Sequence, residues 1–235
     1  FDQIEQNMSR LRNRTQGRFQ IQMVMRTPYG GGIRAVEHHS ESREAYWAHT
    51  PGLKVVIPSG PRNARALLAA AIDDPDPVIF YEPKAIYRAF REDVPESKET
   101  LPLGKAEVVR TGDALTIISY GAMMRPALEA VEDLADLNGI EVELIDLLSI
   151  SPIDTETIVQ SVKKTGRCVV IHEATRTSGF GAELSATVQE ACFYHLEAPV
   201  LRVTGWDTPY PHAQEWAYFP GPDRVGRALR EVMED

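Results

Sequence analysis

The residues best placed to do chemistry lie between Arg26 and Ser42. Arg26-Thr27-Pro28-Tyr29-Gly30-Gly31-Gly32-Ile33 is followed by a short connector and then by Glu37-His38-His39-Ser40-Glu41-Ser42. A strand-like run, Phe19 to Met25, meets a proline and three glycines, which permit positive φ and a close backbone approach to a ligand or a second subunit. Past the bend, Ser40 or Ser42 can cap a helix from Arg43 to His49. His39 would then lie on a loop at a helix N-terminus, where the positive dipole end lowers an imidazole pKa and favours anions. Such a histidine donates or takes a proton near neutral pH. The plain alternative is a surface loop with a glycine turn and two ordinary histidines, and local chemistry alone leaves both readings open.

Two further clusters carry chemistry. His172-Glu173 falls at a strand end, where it forms either an acid-base pair or a structural histidine with its hydrogen bonds satisfied. Asp73-Asp74-Pro75-Asp76-Pro77 packs two prolines and three carboxylates into five residues. It makes a tight acidic turn whose hard oxygens suit a cation, a solvated loop being the ordinary explanation. Other signatures are missing. There is no Gly-x-x-x-x-Gly-Lys-Ser loop, Gly179-Phe180-Gly181 lacks the third glycine of a dinucleotide motif, Pro58-Ser59-Gly60 is no nucleophile elbow, and no His/Cys spacing matches zinc.

A chain of 235 residues, 43% hydrophobic and 25% charged, has the composition of a globular protein with one large core or two modest ones. Its formal charge of -9 argues against nucleic acid as the main partner. The basic cluster Arg10, Arg12, Arg14 and Arg18 reads as a solvated helix face or a subunit contact. Cys168 and Cys192 fall inside a strand and a helix pattern, as buried thiols of a reducing compartment do. No apolar run is long enough to span a bilayer and no leader opens the chain, so a cytoplasmic protein without membrane partners is expected. The first residue is Phe1, and Phe1-Asp2-Gln3-Ile4 reads as the middle of a helix, which predicts a fragment of a longer product.

The elements that must position these residues follow from periodicity. Ile4, Met8 and Leu11 predict an amphipathic helix from Asp2 to Arg14. Strands are expected at Gln20 to Met25, Gly52 to Ser59 and Pro77 to Glu82, with a helix from Gly60 to Ile72 between the last two. Pro83 to about Gly104 lacks periodicity and reads as a connector. Beyond it, strands at Leu115 to Tyr120, Val142 to Leu148, Arg167 to Glu173 and Val200 to Thr204 alternate with helices. These run from Met124 to Leu137, from Asp154 to Lys164, from Ala182 to Leu196 and from Asp223 to Met233. The fold class is α/β, and the second half is a doubly wound parallel sheet whose ligands meet the carboxyl ends of its strands.

Several motifs together resemble one family, the β subunit of the decarboxylase component of 2-oxoacid dehydrogenases. They are Thr27-Pro28-Tyr29-Gly30-Gly31-Gly32, His39-Ser40-Glu41-Ser42, Pro51-Gly52-Leu53-Lys54-Val55-Val56-Ile57-Pro58-Ser59 and Asp76-Pro77-Val78-Ile79-Phe80-Tyr81-Glu82. Leu103-Gly104-Lys105-Ala106, Ser161-Val162-Lys163-Lys164-Thr165-Gly166-Arg167 and Glu173-Ala174 fit the same pattern, so the resemblance runs along essentially the whole chain. It implies a transketolase-like fold: part of a pyrimidine-binding domain at residues 1–84, a linker at 85–104 and a transketolase C-terminal domain at 105–235. It also implies an α2β2 assembly with an α subunit, oxidative decarboxylation of pyruvate or a branched-chain 2-oxoacid, and acyl transfer to a lipoyl-bearing dihydrolipoyl acyltransferase. Thiamine diphosphate and magnesium would lie between α and β subunits.

The family's active-site histidine falls on His39, the expected proton donor during acyl transfer to lipoyl sulfur. Its potassium site, built largely from backbone carbonyls, falls on Met23, Ala71, Ile72, Asp74 and Asp76. The glutamate and aromatic residue that hold the pyrimidine in relatives lie upstream of Phe1, so no cofactor-binding residue is assigned and the chain alone is expected to be inactive. Glu82-Pro83-Lys84 and Glu44-Ala45-Tyr46-Trp47-Ala48-His49 look more like branched-chain members. Two other readings are the C-terminal half of a transketolase or deoxyxylulose phosphate synthase, and a non-catalytic docking module.

Overall fold

The computed structural model describes residues 1–234, apart from the side chains of residues 137 and 138. In place of one N-terminal helix the chain forms a π-helical turn, Gln3–Met8, and a short helix α1, Leu11–Arg14. The break falls at Ser9, whose hydroxyl donates to the Glu5 carbonyl and competes with the helical ladder.

The first sheet contains β1 (Val24–Tyr29), β2 (Lys54–Val56) and β3 (Val78–Pro83), with the short turns α2 (Glu37–Ser40) and α3 (Glu44–Ala48) after β1 and the helix α4 (Pro61–Asp73) between β2 and β3. β1 and β2 flank β3 in parallel register, Val24 and Lys54 both facing Val78. β1 starts later than its apolar pattern predicts and runs through Pro28 into the bend. It can do so because it is the edge strand of its sheet, where proline's missing N–H deprives no neighbour of a ladder bond.

The second sheet has the order β4-β6-β5-β8-β9. These strands are β4 (Glu107–Arg110), β5 (Leu115–Ser119), β6 (Val142–Asp146), β8 (Cys168–Thr175) and β9 (Leu201–Gly205). β4 is an antiparallel edge that the sequence pattern does not announce; the other four are parallel. The helices α5 (Met124–Asn138), α6 (Thr155–Thr165), α7 (Phe180–Cys192) and α9 (Pro222–Glu234) cover both faces, and a short α8 (Glu215–Tyr218) precedes the last. Successive strand residues point to opposite faces, so Ile117 packs with Val131 of α5 and Leu229 of α9, whereas Ile118 packs with Val162 of α6 and Leu184 of α7. This is the doubly wound arrangement expected from the sequence. α5 buries Met124, Ala127, Val131 and Leu134 and leaves Leu128 exposed, and it ends at Gly139 with φ 65°. Asp154 caps α6, accepting from the Thr157 N–H. Cys168 and Cys192 are free, buried thiols.

The two sheets are stitched together. After β6 the chain turns at Leu148, φ 56°, and the strand β7 (Ser149–Ser151) adds antiparallel to β2 of the first sheet. One apolar cluster crosses the junction, joining Val55, Ile57 and Ile79 to Ile118, Ile145 and Ile150. The connector lies along α4, held by ion pairs from Arg62 to Glu99 and from Lys98 to Asp73. The carboxyl ends of β1 and β8 therefore meet, and the glycine bend lies at that meeting point.

Candidate active site

The glycine bend is held by two carboxylates from the second half of the chain. The Gly31 N–H donates to Glu173 Oε2 at 3.0 Å, and the Gly32 N–H donates to Glu215 Oε1. Glu173 projects from the end of β8, and Glu215 opens α8. The geometry explains the glycines. Gly30 and Gly32 take φ of 78° and 91°, and a Cβ on Gly30 would lie 2.8 Å from Glu173 Oε2. At Gly31 a Cβ would overlap the Phe219 ring and lie 2.9 Å from Glu215 Oε1.

Beyond this clasp, residues 37–40 form a helical turn of their own, closed by the His39 N–H on the Val36 carbonyl at 2.9 Å. Here the structure corrects the sequence reading. The following helix is Glu44–Ala48, not Arg43 to His49, and neither serine caps it. The Ser40 hydroxyl donates instead to the Ala35 carbonyl at 2.9 Å, and Ser42 Oγ has no partner. His39 sits at the carboxyl end of its own turn, so the N-terminal dipole argument does not apply to it. Its ring is exposed and lies 4.1 Å from that of His38, tilted by 43°. The turn is thus rooted at the joined strand ends and presents its imidazoles outward.

A buried polar layer lies at the same strand ends. Glu44 Oε1 accepts from the Tyr120 hydroxyl at 2.7 Å, the rings of Tyr29 and Tyr81 are 4.9 Å apart, and the Tyr81 hydroxyl donates to the Arg43 carbonyl at 3.2 Å. Burial raises the Glu44 carboxyl above its ordinary range, against the Tyr120 hydrogen bond. Burial pushes Glu173 up to about 7, with the Gly31 N–H opposing it and Glu44 adding to it. Asp146, at the end of β6, also rises to about 7 through burial while accepting from the Ser59 hydroxyl across the sheet junction. Next to Glu173, His172 is fully buried with neither ring nitrogen partnered, and burial lowers it to about 4. His172 and Glu173 alternate across β8 and form no acid-base pair. Sequence reasoning missed Glu44, Asp146 and Glu215. The available signal was the bend itself, because adjacent glycine amides held off a sheet need acceptors from elsewhere.

A cleft of about 1370 Å³ opens beside this layer, lined by Ser42, Arg43 and Tyr46 on one wall and Ser178 and Phe180 on the other. His39 is not among its walls. The acidic turn lies away from the clasp. Lys54 Nζ bonds both oxygens of Asp74 at 2.8 and 2.6 Å, and Arg12 bonds Asp76 at 2.6 Å. The carbonyls of Met23, Ala71 and Ile72 accept from the Val78 N–H, the Asp74 N–H and the Gln22 amide. Each carbonyl keeps a second lone pair, so the donor chemistry suits a cation bound through main-chain oxygen, while the two aspartates are neutralised within the chain. Among the described residues, no cluster of three or more His, Cys, Asp or Glu could hold a metal. Among the same residues, no helix is long and apolar enough to cross a membrane. Near the clasp, Glu173 and Glu215 are committed to the glycine amides, and Glu82 to Arg26 and Tyr87. Glu173 Oε1, buried against Gly30, keeps no hydrogen-bond partner.

Comparison with known proteins places this architecture. The transketolase pyrimidine-binding domain matches residues 4–89, and the transketolase C-terminal domain matches residues 104–225. The 2-oxoisovalerate dehydrogenase subunit beta of Pseudomonas aeruginosa is 52% identical, covering 99% of this chain and 70% of that protein. The pyruvate dehydrogenase E1 component subunit beta of Acholeplasma laidlawii is 49% identical, covering 96% of this chain and 69% of that one. A split-gene transketolase, solved as an inactive beta4 tetramer, shares the fold with a TM-score of 0.79 at 23% identity, covering all of this chain and 71% of its own. The chain therefore belongs to the transketolase family, within the branch formed by the β subunits of 2-oxoacid dehydrogenases.

Proposed function

We propose that this chain forms the proton-handling wall of a 2-oxoacid decarboxylase, with His39 as the proton donor when an acyl group passes to lipoyl sulfur. One observation carries the reading: a family-matched histidine stands exposed on a turn rooted where the ends of β1 and β8 meet. Its ring is free to meet a surface supplied by another polypeptide. The substrate is a branched-chain 2-oxoacid or pyruvate, the two types named among its relatives. The first function is favoured by the Glu82-Pro83-Lys84 and Glu44 to His49 segments.

When bound, thiamine diphosphate supplies the carbanion chemistry that breaks the bond to the carboxylate. This chain contributes shape and a proton: the clasped bend fixes the turn, and His39 Nδ1 or Nε2 holds the proton to be delivered. The cofactor and its magnesium lie between this chain and an α subunit in an α2β2 assembly. Residues 1–84, 85–104 and 105–235 are the corresponding domain, linker and domain. Met23, Ala71, Ile72, Asp74 and Asp76 are the proposed potassium ligands.

The test assembles the full β chain with its α subunit and measures two partial reactions, 2-oxoacid-dependent dye reduction and acylation of a lipoyl domain. His39→Ala lowers acylation at least about tenfold more than dye reduction. Equal loss of both, or of neither, removes the assigned role.

A further inference from the structure

We propose that Glu173 and Glu215 are positioning residues for the turn that carries His39, acting together as a two-carboxylate clasp on consecutive backbone amides. The proposal rests on the reading of His39 given above, but the clasp itself stands on separate geometry. Gly31 and Gly32 each donate their N–H to a different carboxylate, and the two carboxylates come from elements far apart in the chain, β8 and the start of α8. The bend has no sheet partner beyond Tyr29, where the β1 ladder to β3 ends. Without the clasp two adjacent glycine amides would lose their acceptors, and the bend, free to take many φ and ψ values, would no longer fix where residues 37–40 stand.

The two acids divide the work. Glu173 is almost fully buried, with Oε2 on Gly31 and Oε1 without a partner, pressed against Gly30. It fixes the root of the bend. Glu215 lies nearer the surface, and its second oxygen stands 4.0 Å from Arg34 Nε, farther along the same loop. It therefore touches the loop both before and after Ile33, spanning the segment that leads to His39. Phe219 packs where a Gly31 side chain would be and closes the space beneath. The turn is thus oriented by side chains of the second half of the molecule, and a change in those side chains reaches His39 without touching it.

Hydrogen exchange and the two partial reactions test this in the assembled enzyme. Glu173→Ala and Glu215→Ala accelerate amide exchange at Gly31 and Gly32 respectively and lower lipoyl acylation about tenfold, with dye reduction within about twofold of the parent. Glu173→Gln, which keeps an acceptor oxygen, restores acylation and also covers the case in which Glu173→Ala fails to fold. Adding Glu173→Ala to His39→Ala gives no further loss of acylation, because the clasp acts through that ring. Unchanged exchange at both glycines overturns the clasp whatever His39 does. Faster exchange with unaltered acylation overturns the positioning role. If His39→Ala is silent, the catalytic reading of that residue fails by itself, and exchange alone decides whether the acids hold the turn.

Discussion

His39 lies beyond the end of one strand and His172 within another; the strands belong to different sheets and their carboxyl ends are joined at the glycine bend, yet the two histidines live under opposite conditions. His39 is exposed on a helical turn beyond the end of β1. His172 is buried in β8, its ring 6.3 Å from that of Tyr120 at 13°, with Gly179 and Gly181 kept free of side chains where the ring presses against them. The first region offers a titratable group to the outside and has almost no apolar packing of its own. The second hides one and is packed from every side. They are joined through Glu173, which follows His172 in sequence and binds the glycine bend that leads to His39. A glycine loop can thus carry a fixed group when its backbone amides, and not its side chains, are tied to a rigid sheet.

The most direct way to break the contrast is to fill the bend. Gly31→Ala places a methyl group inside the Phe219 ring and beside Glu215. It should lower the unfolding free energy by about 3 kcal/mol, the upper range of an overpacked site. Gly221→Ala meets nothing within 4 Å and should change stability by less than about 0.5 kcal/mol. Urea unfolding of the two variants side by side separates a glycine needed for packing from one that merely ends a loop. Equal midpoints would mean that the second half of the chain does not press on the bend.

A smaller effect lies in the pH dependence, where the adjacent residues of β8 oppose each other. Burial holds His172 at about 4 against an ordinary 6.5, so its contribution to stability is complete above 6.5 and is lost as pH falls toward 4. Glu173 is raised from 4.5 to about 7, so its contribution is complete below 4.5 and is lost as pH rises through 7. The groups facing it are Tyr29, Glu44, Lys84, Glu215 and Tyr218. Between 4.5 and 6.5 the two slopes, each about 1.4 kcal/mol per pH unit, cancel. Relative to the parent, Glu173→Gln should gain stability with rising pH in this window, and His172→Leu should lose it. Chemical denaturation at pH 5 and 6.5 gives both differences; a flat difference for either variant would show that its group titrates alike in the folded and unfolded chain.

The sequence revealed the parallel strands and their helices because those elements are long, periodic and capped, as with Asp154 of α6 and Gly139 after α5. β4 and β7 escaped notice: one is a short edge strand, and the other is three residues whose partner lies nearly a hundred positions upstream. The choice of His39 over His38 rests on the family pattern alone, since no local feature separates the two. The clasp was illegible for a different reason. Glu173 and Glu215 are ordinary acidic residues in sequence, and what makes them special is which amides they face, a property of tertiary distance alone. The serine cap failed because Ser40 had a nearer acceptor in the loop it closes, the Ala35 carbonyl.

The acidic turn extends the contrast to a third way of managing charge, at half-buried residues, and it carries the smallest expected effect. At the clasp, acids are spent on amides and one of them rises toward neutrality; at Asp74 and Asp76 the chain supplies its own cations, Lys54 and Arg12. A potassium ion there would bind through the carbonyls of Met23, Ala71 and Ile72 and add to charge that is already balanced, so its contribution is modest. At a concentration equal to its dissociation constant, a ligand that binds only the folded state contributes about 0.4 kcal/mol, or about 1 °C in a protein of this size. Potassium chloride should therefore raise the melting temperature by about that much over choline chloride at the same ionic strength, which screens equally but cannot be chelated. Lys54→Met leaves Asp74 and Asp76 short of a partner and should enlarge the potassium-specific increment, because the ion then replaces a lost cation. Identical melting curves in the two salts, for the parent and for Lys54→Met alike, would leave Lys54 and Arg12 as the sole counterions of the turn and remove potassium from it.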